Sequence, residues 1–131
     1  MSSAIDRLCH SGIQPTPQRI AVAEFVLSTP AHPTADEVWM HVRSRCPTIS
    51  RATVYNTLKL FAEKGLLKPQ PLREGVVVFD PHVEPHHHFI DEDTGKVIDV
   101  PWEALKVRGE KSLEGFEVRE YQVVMRGRRR R

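Results

Sequence analysis

The first 65 residues carry apolar positions at helical spacing, interrupted by capping residues, prolines and glycines. Ile5 and Leu8 follow Ser2 and Ser3, either of which can cap, and Gly12 ends the run. Thr16 followed by Pro17 reads as an N-cap with proline at the first helical position. Ile20, Ala23 and Leu27 then share a face until Ser28, Thr29 and Pro30 break it. A third helix is expected from Thr34, with Asp36 and Glu37 in the first turn, where negative charge suits the helix dipole, and an end at Cys46 and Pro47. Ser50 caps a fourth, RATVYNTLKLFAEKG, in which Val54, Leu58 and Phe61 form the buried stripe and Gly65 the stop.

Beyond Gly65 the pattern becomes strand-like. LLKPQPL and GVVVFD, joined at Arg73, Glu74 and Gly75, read as a β-hairpin. Helix, turn, helix and hairpin is the order of a winged helix-turn-helix. From about Pro81 the runs HHHFI, KVIDV and FEVREYQVVM predict strands, with the turn signal EDTG between the first two and a short helical candidate at WEALK. The predicted class is α+β: a winged helix-turn-helix over residues 1–80, a small α/β domain over 81–125 and a basic tail over 126–131.

A chain of 131 residues, 40% hydrophobic, has room for one ordinary core or two small ones, not for separate cofactor and substrate domains. No apolar run approaches the roughly 18 to 20 residues that cross a bilayer. The first ten residues have neither the basic nor the apolar region of a signal peptide, so a cytoplasmic protein without membrane partners is expected. Cys9 and Cys46 stand far apart and no C-x-x-C pair occurs, so no cysteine-bound zinc clip is expected. The formal charge of +2 hides a contrast between the acidic Asp91–Asp99 stretch and the closing RGRRRR. That tail is read as a solvated terminus or as a contact for phosphate or an acidic partner.

Two places carry chemistry. On the fourth helix Arg51, Thr53, Tyr55, Asn56 and Lys59 face outward behind the Ser50 cap. Such a helix fits the DNA major groove: Asn56 offers an amide suited to adenine, Tyr55 a ring with a hydroxyl tip, and Arg51 and Lys59 phosphate contacts. Arg19 can reach a neighbouring phosphate or the minor groove. An ordinary amphipathic helix with a polar outer face is the plain alternative.

The second place is HVEPHHHFIDEDTGKVID. Strand alternation turns His86 and His88 to one side and His87 and Phe89 to the other, while Asp99 lies across the EDTG hairpin. Asp80 ends the apolar run GVVVFD, and His32 sits in the loop before the third helix. His32, Asp80, His86, His88 and Asp99 would make a thiolate-free set of three nitrogens and two oxygens. It suits Fe(II), Mn(II) or Zn(II) and leaves a position open for a small ligand. Taken singly, each is more simply a cap, a surface histidine or, for Asp99, a strand-edge charge.

The motifs GIQPTPQR, HPTADEVW, SRATVYNTLKLFAEKGL, VVFD and HHHFID…GKVID, spread from about Leu8 to Val124, together resemble the ferric uptake regulator family of bacterial metal-dependent repressors. The resemblance implies an N-terminal winged helix, a C-terminal dimerisation domain, and a homodimer on double-stranded DNA with an inverted-repeat operator. It places the regulatory metal ligands on His32, Asp80, His86, His88 and Asp99, the base-contacting tyrosine on Tyr55, and the family's basic residue after TPQ on Arg19. The two aspartates resemble the peroxide-responsive branch, for which His32 and His86 are the expected targets of oxidation. Where other members hold structural zinc, this chain has Asp91 and Thr94 in place of the first cysteine pair and RGRRRR in place of the second; Tyr121 replaces a histidine of a second regulatory site.

The missing cysteines, HHHFI and the basic C-terminus also resemble haem-responsive members, with haem at His86, His87 and His88, and Cys46-Pro47 readable as a haem-regulatory dipeptide. A small metallohydrolase is the alternative from another class, but it lacks a separate general base and leaves the reading helix unexplained.

Overall fold

The computed structural model describes residues 3–73, 75–109 and 113–130. The chain divides at the Val83/Glu84 boundary into two compact units, against the 80/81 boundary expected from sequence. Among the described residues no helix is long and apolar enough to cross a membrane.

The first unit opens with four helices, each started by a side-chain cap. Ser3 accepts from the Asp6 amide ahead of α1 (Ala4–His10); Ser2, the other candidate, lies outside the described residues. Thr16 caps α2 (Pro17–Val26), with proline in its first turn. Thr34 starts α3 (Ala35–Val42) with a full capping box: its hydroxyl accepts from the Glu37 amide while the Glu37 carboxylate accepts from the Thr34 amide, both at 3.1 Å. Ser50 caps α4 (Arg51–Glu63). Gly65, at φ +78°, supplies the left-handed turn after α4 that a Cβ would oppose.

α3 stops at Val42, short of the expected end at Cys46, and the chain turns through residues 43–45. Arg43, Ser44 and Arg45 are all exposed, so no apolar face remains there to hold another helical turn. The core is built from the inward stripes of the helices, with Leu8, Val22, Val38, Val54, Leu58 and Phe61 fully buried. Burying a side chain of this size contributes roughly 1.5–3 kcal/mol.

The hairpin pairs β1 (Lys68–Arg73) with β2 (Val76–Asp80) antiparallel. Pro69 and Pro71 are tolerated because a two-stranded ribbon leaves each strand an edge without ladder partners. Glu74, expected in the turn, lies outside the described residues. β2 is also stitched to the loop before α3: Thr34 bridges Val78, and the Phe79 amide donates to the Pro33 carbonyl at 2.8 Å. That stitch brings the loop of His32 to the end of β2.

The second unit is a three-stranded sheet in the order β4-β3-β5. β3 (His87–Asp91) pairs antiparallel with β4 (Val97–Val100), with His88 directly opposite Asp99. A 3-10 turn at Trp102–Ala104 takes the place of the short helix expected at WEALK. The long FEVREYQVVM run contributes only its last two residues to a strand, β5 (Val124–Gly127), which lies parallel to β3 and takes in Arg126 and Gly127 of the expected tail. Gly127 sits against Phe89, where a Cβ would come within 3.2 Å of the ring. The winged helix-turn-helix and the α+β class are as expected.

Candidate metal centre

Each unit contributes its own share of the expected donor set. In the first, His32 and Asp80 are both buried, and Nε2 of the histidine lies 3.3 Å from Oδ2 of the aspartate. The other carboxylate oxygen of Asp80 accepts from the His82 amide at 2.9 Å, which fixes the carboxylate plane. His32 has φ +50°, the one non-glycine residue at positive φ among those described. A histidine in the left-handed region carries local strain of about 1–3 kcal/mol, which persists only where the surroundings hold it. Here the Phe79–Pro33 hydrogen bond and the α3 capping box hold the loop from one side.

In the second unit His86 and His88 are buried and their rings meet edge to face, with centroids 4.5 Å apart. Both have one ring nitrogen committed. Nδ1 of His86 donates to the Glu84 carbonyl at 2.6 Å, and Nδ1 of His88 donates to Oε1 of Gln122 at 2.7 Å. A carbonyl oxygen only accepts, so the proton of each neutral imidazole sits on Nδ1 and the Nε2 lone pair is turned toward Asp99. Oδ1 of Asp99 stands 3.4 Å from one Nε2 and 3.6 Å from the other.

Two imidazole lone pairs converging on a carboxylate repel one another without positive charge between them. Protonating an imidazole supplies that charge, and so does a metal ion. Donors bound to one ion at about 2.0–2.2 Å stand roughly 3–3.5 Å apart at tetrahedral or octahedral angles, and both units' separations fall at or next to that range. Histidine ligands also characteristically donate their second ring N–H to a carbonyl or carboxylate, which orients the ring. The residues present therefore fit a divalent metal, and the nitrogen and oxygen donors fit Fe(II), Mn(II) or Zn(II).

His87, on the opposite side of β3, is placed differently. It is buried, stacks on Trp102 with centroids 4.6 Å apart, and accepts the Val123 amide on Nδ1 at 3.0 Å. It packs the sheet, and Tyr121 lies tilted against Trp102 with ring centroids 4.8 Å apart. Gln122 and the Glu84 carbonyl are the functional groups the sequence did not reveal. Asp91 and Thr94 secure the hairpin turn, each side chain accepting a backbone amide two residues on.

In the first unit α4 shows Arg51, Tyr55, Asn56 and Lys59 exposed and Thr53 half-buried, while Ser50 is spent on its cap. Asn56 and Thr53 line a groove of about 540 Å³ with Arg19 and the start of α2, where Arg19 donates to the Gln14 carbonyl.

Residues 10–126 match the Ferric uptake regulator family. The peroxide operon regulator of Bacillus subtilis (strain 168) is 36% identical over 105 residues, covering 80% of this chain and 72% of the relative. Among solved structures, a zinc-bound manganese uptake regulator superposes with a TM-score of 0.77 at 27% identity, covering 98% of this chain and 99% of the other. The Campylobacter jejuni peroxide stress regulator gives 0.67 at 25% identity, covering 95% and 92%. The metallohydrolase alternative falls with these matches. This chain belongs to the ferric uptake regulator family, whose members are metal-dependent transcriptional regulators and not enzymes.

Proposed function

We propose that the protein is a homodimeric repressor that reads an inverted-repeat operator when a single Fe(II) or Mn(II) ion is held by His32, Asp80, His86, His88 and Asp99, and that peroxide is its signal. The observation that carries this reading is that Nδ1 of His86 and Nδ1 of His88 each meet a carbonyl-type oxygen while both Nε2 atoms face Oδ1 of Asp99. The peroxide regulators among its relatives favour peroxide as the signal.

The ligands are divided along the chain. His32 and Asp80 belong to the first unit and the other three to the second, and only residues 81–85 separate Asp80 from His86. An ion drawing on both sets restrains that short connection and favours one domain arrangement by population shift. In that arrangement the Tyr55-bearing helices of two protomers address successive major grooves, about 34–36 Å apart. Tyr55 and Asn56 meet base edges; Arg19, Arg51 and Lys59 meet phosphates.

Fe(II) held there would promote cleavage of the peroxide O–O bond, one oxygen replacing a ring C–H hydrogen of a ligand histidine and the other leaving as water. Peroxide is thus the two-electron oxidant and the ring is what it oxidises. His32 and His86 are the ligands expected to take up oxygen on the ring. A modified ring no longer presents its lone pair in the same direction, and the domain arrangement is released.

The test is operator binding by gel shift with Mn(II) or Fe(II), before and after peroxide, with mass spectrometry of the His32 and His86 peptides. Metal-dependent binding is expected, lost on peroxide only for the iron form and with added oxygen on one of those peptides. Equal peroxide responses of the iron and manganese forms, without added oxygen, would sink the peroxide reading.

A further inference from the structure

The junction between α3 and α4 holds a cluster that base reading by Tyr55 and Asn56 leaves unexplained. Trp39, on α3, donates its Nε1–H to the Ile49 carbonyl at 3.0 Å, immediately before the Ser50 cap. The indole plane is thereby fixed against the start of α4. Two guanidinium groups lie over this one ring, the Arg43 carbon 4.6 Å and the Arg51 carbon 4.4 Å from its centroid. Nε of Arg51 also faces Oδ1 of Asp36 at 3.7 Å. The Arg51 side chain is 67% exposed and Arg43 is exposed as well.

Holding two cations on one half-buried indole costs mutual repulsion, which the cation–π attraction only partly offsets. Asp36 offsets one of the two charges. The cluster is left short of negative charge at the N-terminal turn of the helix expected in the groove. A phosphodiester supplies it: its oxygens match the planar forks of arginine, which a flexible lysine would not pre-orient.

We infer that Trp39 is a positioning residue that holds Arg43 and Arg51 as paired clamps on the DNA backbone beside the base-reading residues. The inference rests on the DNA-binding reading above. It adds Arg43 to the contact set and gives Arg51 a fixed aim. Backbone contacts set affinity and register and carry no sequence information directly, so the clamps act on salt-dependent affinity while Tyr55 and Asn56 set the preferred bases.

The experiment uses the full chain with Mn(II) and a duplex selected by the wild-type protein from random-sequence DNA, with fluorescence anisotropy between 50 and 200 mM salt. Each phosphate contact removed lowers the log–log salt slope by about 0.9, or roughly 3.5-fold across this fourfold range. Arg43→Gln and Arg51→Gln are each expected to flatten the slope by about one per reading helix. Trp39→Leu flattens it as both do together, and Arg51→Gln adds little in that background. Trp39→Phe, which keeps a ring, gives an intermediate slope. The selected sequence stays unchanged for both arginine variants.

Wild-type slopes for both arginine variants overturn the inference, as does a Trp39→Leu protein that melts normally and keeps the full slope. If Trp39→Leu fails to fold, the arginine variants and Trp39→Phe decide. A wild-type protein that binds no duplex with any metal defeats the DNA-binding reading itself, a result distinct from bound DNA with unaltered slopes.

Discussion

Gln122 carries no metal-binding atom of its own in this arrangement, yet replacing it should weaken metal binding sharply. His88 is fully buried, and its Nδ1–H donates to the Gln122 amide oxygen at 2.7 Å. Gln122→Ala removes that acceptor from a buried donor, at a cost of about 1–3 kcal/mol. The imidazole can escape the cost by moving its proton to Nε2, the atom that faces Asp99. The lone pair needed by an ion is then lost. Removing such an outer partner typically lowers metal affinity 10–100-fold, about 1.4–2.8 kcal/mol, in line with the desolvation figure. Gln122→Glu should act oppositely, since a carboxylate accepts the same proton more strongly and makes Nε2 a better donor to metal. Mn(II) affinity can be measured by competition with a chromophoric chelator, with circular dichroism as the check on folding. A Gln122→Ala protein that folds normally and binds Mn(II) within twofold of wild type would refute the reasoning, for then either His88 is no ligand or Gln122 does not set its tautomer.

Three other substitutions probe separate parts of the molecule. Leu58→Ala opens a cavity at a fully buried site of α4 and should cost about 2–5 kcal/mol; a thermal melt should fall by at least about 8 °C, and a fall under about 3 °C would contradict the packing described. Thr34→Ala removes one half of the α3 capping box, a loss of about 1 kcal/mol. It should lower the urea midpoint without altering the slope of the transition. His87→Phe keeps a ring against Trp102 but removes the acceptor of the Val123 amide. Stability should drop by about 1–3 kcal/mol while Mn(II) affinity stays within threefold of wild type; a haem Soret band abolished by this change alone would instead favour the haem reading.

What the sequence made legible was local. Thr16, Thr34 and Ser50 announce helix starts because capping involves residues three apart, and each does cap. His86, His88 and Asp99 could be grouped because strand alternation and a short hairpin act over a dozen residues. The contact between Gln122 and His88 spans 34 residues, and no local pattern encodes it. Alternation misled in FEVREYQVVM, because it reports a segment suited to pairing while a strand also needs a ladder partner. β3 offers two edges, one taken by β4 and the other by Val124–Gly127. His87 was correctly turned away from His86 and His88, but its place against Trp102 depends on the chain beyond β4.

The donors of the sheet unit differ in their access to water. The side chains of His86 and His88 are 3% and 0% exposed, whereas that of Asp99 is 38% exposed. A hydrated ion bound by these three residues would meet the exposed carboxylate before the buried imidazoles. Departure would take the same path in reverse, so the residence time of such an ion would depend on Asp99 more than on the two histidines.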